Sequence, residues 1–252
     1  MTGMLLNGKN AVIYGGGGAI GGAVARVFAR EGAHVWLAGR TPEPLHAVAR
    51  EIEAAGGRAS CAVVDALDGD AVEAHADAVL AGGGSLDVSF NLIGINDVQG
   101  TPMADMAVED YLAPIVTAVR SQFLTYRAAV RRMRGGGVIL NFGGSGDPMR
   151  GYSIGGLQTA FHAVEAMRRQ LSAEYGAAGI RVVTLRTGGV PETIPAGFAG
   201  RDALVSSLEA ATLLGRCATF EDVGAVAAFV ASDRARTMTA ATVNVSAGAL
   251  ID

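Results

Sequence analysis

Residues 10–32 read NAVIYGGGGAIGGAVARVFAREG. Asn10 to Tyr14 is a short apolar run of strand length, and Gly15 to Gly18 make a tight loop. Ile20, Val24, Val27 and Phe28 then recur at helical spacing through Glu31, and Gly32 stops the helix. A buried strand, a glycine turn and a one-faced helix are the opening of a parallel α/β sheet.

Working outward, the alternation repeats. Strands are predicted at His34 to Ala38, Arg58 to Val64, Leu86 to Ile93, Gly137 to Phe142, Ile180 to Leu185 and Ala241 to Val245. Helices are predicted at Pro42 to Ala55, Asp70 to Ala81, Val108 to Arg134, Leu157 to Tyr175, Arg201 to Leu213 and Phe220 to Ala231. Pro114 should kink the long fourth helix or delay its regular part. Residues 143–156 read as glycine-rich loop. Nearly unbroken apolar strands predict a sheet covered by helices on both faces. No linker or repeat interrupts residues 1–252, so a single domain is expected, with a substrate-side loop and helix near 190–215.

Composition narrows the classes. Half of the 252 residues are hydrophobic, 17% are charged, and the 36 glycines follow no Gly-X-Y repeat. Disordered and collagen-like chains are excluded. Mean hydropathy is +0.33, yet no apolar stretch reaches the roughly 18 residues of a membrane span. The net charge of -4 gives no basic excess for nucleic acid or an anionic membrane. Residues 1–10, MTGMLLNGKN, lack the layout of a secretory leader, so a cytoplasmic protein is expected. Cys61 and Cys217 fall in no metal-binding or disulfide pattern, and no metal is expected. Lys9 is the only lysine among 20 basic residues, which bars any mechanism needing an internal lysine.

The glycine stretch carries the first chemical reading. Glycines let the backbone approach a pyrophosphate, and the helix start offers unpaired N–H groups and positive potential. Gly15, Gly17, Gly18 and Ile20 are therefore candidate dinucleotide contacts. Arg40 closes the second strand, where an acid would bind a ribose 2′-hydroxyl and an arginine instead pairs with a 2′-phosphate. VWLAGR holds no acid, so NADP(H) is favoured over NAD(H). Asp65 either accepts from the adenine amine or caps a helix together with Asp68.

With these residues in place, the chain resembles the short-chain dehydrogenase/reductase family. The resemblance covers nearly the whole sequence. Its markers are the loop Gly15–Gly21, Asp65, DVSFNLIG (87–94), VILNFGG (138–144), AGIRVVTLRTGG (178–189) and LLGRCATFEDVGAVAAFVAS (213–232). The resemblance implies a seven-stranded Rossmann fold of order 3-2-1-4-5-6-7. It adds Ala66, Asn91, Ile93, Gly94, Thr187, Gly188 and Thr193 to the expected cofactor contacts. It also implies a small-molecule substrate and a homotetramer, or a homodimer. Surplus apolar residues agree with assembly: Val116, Val119, Phe123 and Tyr126 on one helix, Phe161, Val164 and Met167 on another.

The departures from the family are as informative. Its members use an Asn, a Ser, a Tyr and a Lys, and those positions fall here on Ala118, Gly144, Leu157 and Phe161. Apolar side chains cannot move protons, and positioned acid–base catalysis is worth about 10²–10⁴-fold in rate. Replacement groups cluster after the fifth strand, where open α/β sheets bind ligands: Ser145, Asp147, Arg150 and Tyr152. Tyr152 is the best replacement acid, and Ser145 stands one residue from the lost serine. Asn96 and Asp97 line the pocket in this reading, and Arg186 anchors an acidic substrate or a cofactor phosphate. His162 is expected to face a helix interface. Three functions stay open: an atypical oxidoreductase, a redox-neutral isomerase, dehydratase or cyclase, and a nucleotide-binding pseudoenzyme.

Overall fold

The computed structural model describes residues 3–143 and 153–251. Among the described residues, seven strands form one sheet: β1 (Asn10–Tyr14), β2 (His34–Gly39), β3 (Arg58–Val63), β4 (Val88–Asn91), β5 (Gly137–Gly143), β6 (Ile180–Arg186) and β7 (Ala241–Asn244). Every pairing is parallel, in the order β3-β2-β1-β4-β5-β6-β7. The helices are α1 (Ala19–Arg30), α2 (Pro42–Ala54), α3 (Gly69–Gly83), α4 (Val108–Val130), α5 (Gly155–Tyr175), α6 (Arg201–Ala210) and α7 (Phe220–Ala231). The expected seven-stranded, doubly wound α/β fold is therefore present.

Alternating side chains divide the core into two layers. Ala11 and Ile13 of β1 join Phe28 of α1, Leu45 of α2 and Val223 of α7. Val12 and Tyr14 point the other way, to Val72 of α3 and Ala129 of α4. This period of two is what a strand covered on both faces requires. Phe28 and Phe90 are fully buried in the first layer, each contributing about 1.5–3 kcal/mol by leaving water.

Several element ends differ from the sequence expectation. Strand β4 stops at Asn91 because that carboxamide accepts from the N–H of Ile93 at 3.1 Å, turning the chain out of the sheet. Helix α4 ends at Val130, and Gly135 and Gly136 follow with φ of +87° and +107°. Helix α4 starts at Val108 without delay and runs through Pro114. Helix α5 begins at Gly155, inside the stretch read as loop. Gly156 is a packing glycine: a Cβ there would lie 2.1 Å from the carbonyl oxygen of Tyr111 and 2.9 Å from the ring of Pro114. Only hydrogen lets α5 cross α4 this closely.

The surplus apolar residues also divide. Tyr126 is buried, its hydroxyl donating to Asn141 Oδ1 at 2.6 Å, and Val164 is buried beside Ala118 and Ala160. These two serve the fold of one chain. Leu112, Val116 and Phe123 stay exposed along α4.

Candidate nucleotide-binding and active site

The chain winds outward in opposite directions from β1 and β4, and the crevice beyond their carboxyl ends holds a groove of about 430 Å³. Gly15, Gly17 and Gly18 form one wall. Gly15 has φ +79°, and a Cβ on it would meet Leu92 O at 2.4 Å. A Cβ on Gly21 would meet Gly15 O at 2.1 Å, so the start of α1 rests directly on the turn. The first helical bond runs from Gly22 N–H to Gly18 O at 2.8 Å. The N–H groups of Ala19, Ile20 and Gly21 precede it, no side chain among the described residues caps them, and the first turn holds no acid. This terminus fits a pyrophosphate.

Arg40 lines the same groove at the end of β2 and is exposed. Among the described residues, no carboxylate pairs with it. Thr41 and Pro44 stand beside it, and the sequence reading missed both. Their signal was positional: they open α2 directly after Arg40. Asp65 and Ala66 line the groove after β3, and one Asp65 oxygen accepts from Leu67 N–H at 3.0 Å. The cap of α3 is Asp68, which accepts from Asp70 and Ala71 N–H at 3.0 and 3.2 Å. That leaves Asp65 to the groove. Ile93 and Gly94 form the wall after β4, with Asn96 and with Thr117, another residue that sequence reasoning passed over. Thr117 is the neighbour of Ala118, and only α4's orientation reveals that it faces the groove.

The other expected contacts do not line this groove. Ile20 packs against the first core layer. Asn91 is buried beneath the groove, its amide donating to Thr125 Oγ1 at 3.3 Å. Thr187 donates its N–H to Gly143 O at 3.1 Å. Gly188 abuts Ala249, and Thr193 donates its hydroxyl to Val190 O at 2.8 Å.

Three of the four reaction-centre positions are described. Ala118 is 2% exposed and packs with Ala160 and Val164. Leu157 and Phe161 stand one turn apart on α5, half-buried. Phe161 Cδ1 lies 3.7 Å from where a Cβ on Gly143 would stand, so the ring covers the end of β5. Gly144, Ser145, Asp147, Arg150 and Tyr152 lie outside the described residues. His162 does not face a helix interface: it is exposed and, with its neighbour Phe161, lines a second cavity.

Burial governs the electrostatics behind the groove. It pushes the hydroxyl of Tyr14 well above the ordinary tyrosine value, with Arg132 and Glu73 exerting smaller opposing effects. It also lowers the neighbouring His75 to about 4. Neither group titrates as an acid or base near neutrality.

A family model described as enoyl-(acyl carrier protein) reductase matches residues 17–249. The chain is 30% identical over 246 residues to an uncharacterized oxidoreductase of Mycobacterium tuberculosis, covering 96% of this chain and 92% of the relative. It is 31% identical over 248 residues to the A-factor type gamma-butyrolactone 1'-reductase (1S-forming) of Streptomyces virginiae, covering 97% and 96%. A short-chain type dehydrogenase/reductase from Mycobacterium ulcerans superposes with a TM-score of 0.89 at 26% identity, covering 97% of this chain and 90% of that one.

Proposed function

Since the chain belongs to the short-chain dehydrogenase/reductase family, we propose that it is an atypical NADP(H)-dependent oxidoreductase acting on a small organic carbonyl, hydroxyl or enone compound. The observation that carries the cofactor choice is Arg40, a guanidinium at the groove with no carboxylate partner among the described residues. A 2′-phosphate supplies that partner. The uncapped start of α1 takes the pyrophosphate, and Asp65 accepts from the adenine amine. When bound, the nicotinamide supplies the hydride.

The chain's own residues then shape the reaction end. Leu157 and Phe161 exclude water from the substrate carbon and move no proton. The proton comes from Tyr152, with Ser145 orienting the substrate oxygen. The apolar set Ala118, Leu157 and Phe161 favours one second reading, a redox-neutral reaction in the same pocket.

The test is nucleotide binding followed by turnover. Purified protein should enhance NADPH fluorescence at lower concentration than NADH, and some member of a ketone and enone panel should oxidise NADPH. Binding without oxidation supports the second reading, and no response to either nucleotide overturns both. We further propose a homo-oligomer, supported by the exposed Leu112, Val116 and Phe123. A monomeric mass in light scattering at micromolar concentration overturns it.

A further inference from the structure

A second cavity, of about 170 Å³, lies between α5 and the β5-β6-β7 side of the sheet and, among the described residues, shares no lining residue with the nucleotide groove. We propose that it binds a small carboxylic acid with an apolar body.

Its walls divide by chemistry. Phe142 and Phe161 give an aromatic side, while His162, Glu165, Arg169 and Arg186 give the polar side. Among the described lining residues the one carboxylate, Glu165, is already satisfied. Glu165 Oε2 accepts from Arg168 Nε and Nη2 at 3.0 and 2.8 Å and from Thr242 Oγ1 at 3.1 Å, and its other oxygen accepts from Thr184. Arg168 is 4% exposed, so this pair is a fixed part of the wall. Hydrogen bonds from Arg168, Thr184 and Thr242 overcome burial and hold the Glu165 carboxyl below its ordinary range, so it stays ionised and paired.

Arg169 is different. Among the described residues it has no ion pair and no hydrogen bond, and it stands one residue beyond the Arg168 that pairs with Glu165. At Arg169 the described lining therefore carries a positive charge that Glu165 does not cancel, next to low-dielectric aromatic walls that concentrate its field. A guanidinium recognises a carboxylate by charge-assisted, paired hydrogen bonds. Apolar walls with a few convergent polar groups are how small-molecule sites are built. The volume equals that of about six water molecules, which admits a single-ring or short branched acid and excludes a nucleotide. The ligand would touch Phe161, the residue that covers the end of β5, and so would report to the reaction end.

Benzoate is the probe, with benzamide as its neutral isostere, both titrated into the full chain by calorimetry at low salt. Benzoate should bind with one-to-one stoichiometry at least tenfold more tightly than benzamide. Arg169→Glu, an exposed change that the fold tolerates, should weaken benzoate at least tenfold and leave NADPH binding unchanged. Phe161→Ala should weaken benzoate and leave any acetate binding unaffected. Equal affinity for benzoate and benzamide, or undiminished benzoate binding by Arg169→Glu, overturns the proposal. Titration at saturating NADPH separates the two sources of such an acid: an unchanged affinity marks an effector, and a tightened one marks a substrate. The calorimetry needs no nucleotide, so loss of NADPH binding in the wild type would count against the cofactor reading alone.

Discussion

The imidazole of His75 stands edge-on to the ring of Tyr14, with centroids 6.1 Å apart and planes at 79°. Tyr14 ends β1 and lines the nucleotide groove, so this contact ties α3 to the groove's floor. His75 Nε2 is buried with no hydrogen-bond partner among the described residues, and burial lowers its pKa from 6.5 to about 4. The unfolded chain takes up the proton first, near pH 6.5. Stability from the neutral imidazole is therefore complete above that value and is lost as pH falls toward about 4. Between pH 7.5 and 5 the loss should be about 2 kcal/mol, or about 4–8 °C in Tm. Thermal melts of wild type and His75→Leu check this: the variant should lose much less over that interval.

Arg40→Asp should raise the Kd for NADPH at least tenfold and leave NADH binding equal or tighter. A carboxylate repels the 2′-phosphate and accepts from a 2′-hydroxyl. Fluorescence titration of both nucleotides is the measurement, and equal NADPH affinity in wild type and variant contradicts the assignment.

Gly156→Ala should destabilise the chain by about 1–3 kcal/mol, as overpacking of a close contact does. The added methyl meets the backbone oxygen of Tyr111, which has no rotamer by which to withdraw. Urea unfolding should show a lower midpoint with an unchanged slope.

Restoring one member of the missing catalytic set should create no carbonyl reductase. Leu157→Tyr places a phenol one turn from Phe161, but no ammonium lowers its pKa from about 10, and burial raises it further. Phe161→Lys buries a charge with no phenol to tune. The triple change Gly144→Ser, Leu157→Tyr, Phe161→Lys should gain far more than its singles combined, because such residues act as a unit. NADPH oxidation across a panel of simple ketones is the readout. Loss of wild-type turnover in Tyr152→Phe would identify Tyr152 as the proton source.

The sheet was legible because each buried strand is a compact apolar run bounded by glycine or a helix, and the strand-turn-helix at 10–32 fixes where the nucleotide groove lies. Side-chain direction was harder to read. Asn91 sits in a stretch expected to touch cofactor, yet its carboxamide is spent on Ile93 and Thr125. Thr117 escaped notice because a helix of mixed polarity does not declare which threonine faces a groove. Gly156 looked like loop because a glycine demanded by a neighbouring backbone reads the same as one demanded by a turn. Tyr126 looked like interface because its partner, Asn141, is distant in sequence and adjacent only in the fold.

Lys9 precedes β1 at the amino end of the strands, opposite the groove, and its ammonium lies 3.3 Å from Asp233. As the only lysine, it is also the only side-chain amine that an acylating reagent can find. A fluorophore or surface tether coupled through amine chemistry would thus attach at Lys9 or the α-amino group. Lys9 offers a defined attachment point away from both cavities, whereas a typical enzyme of this size presents a scatter of labelled positions.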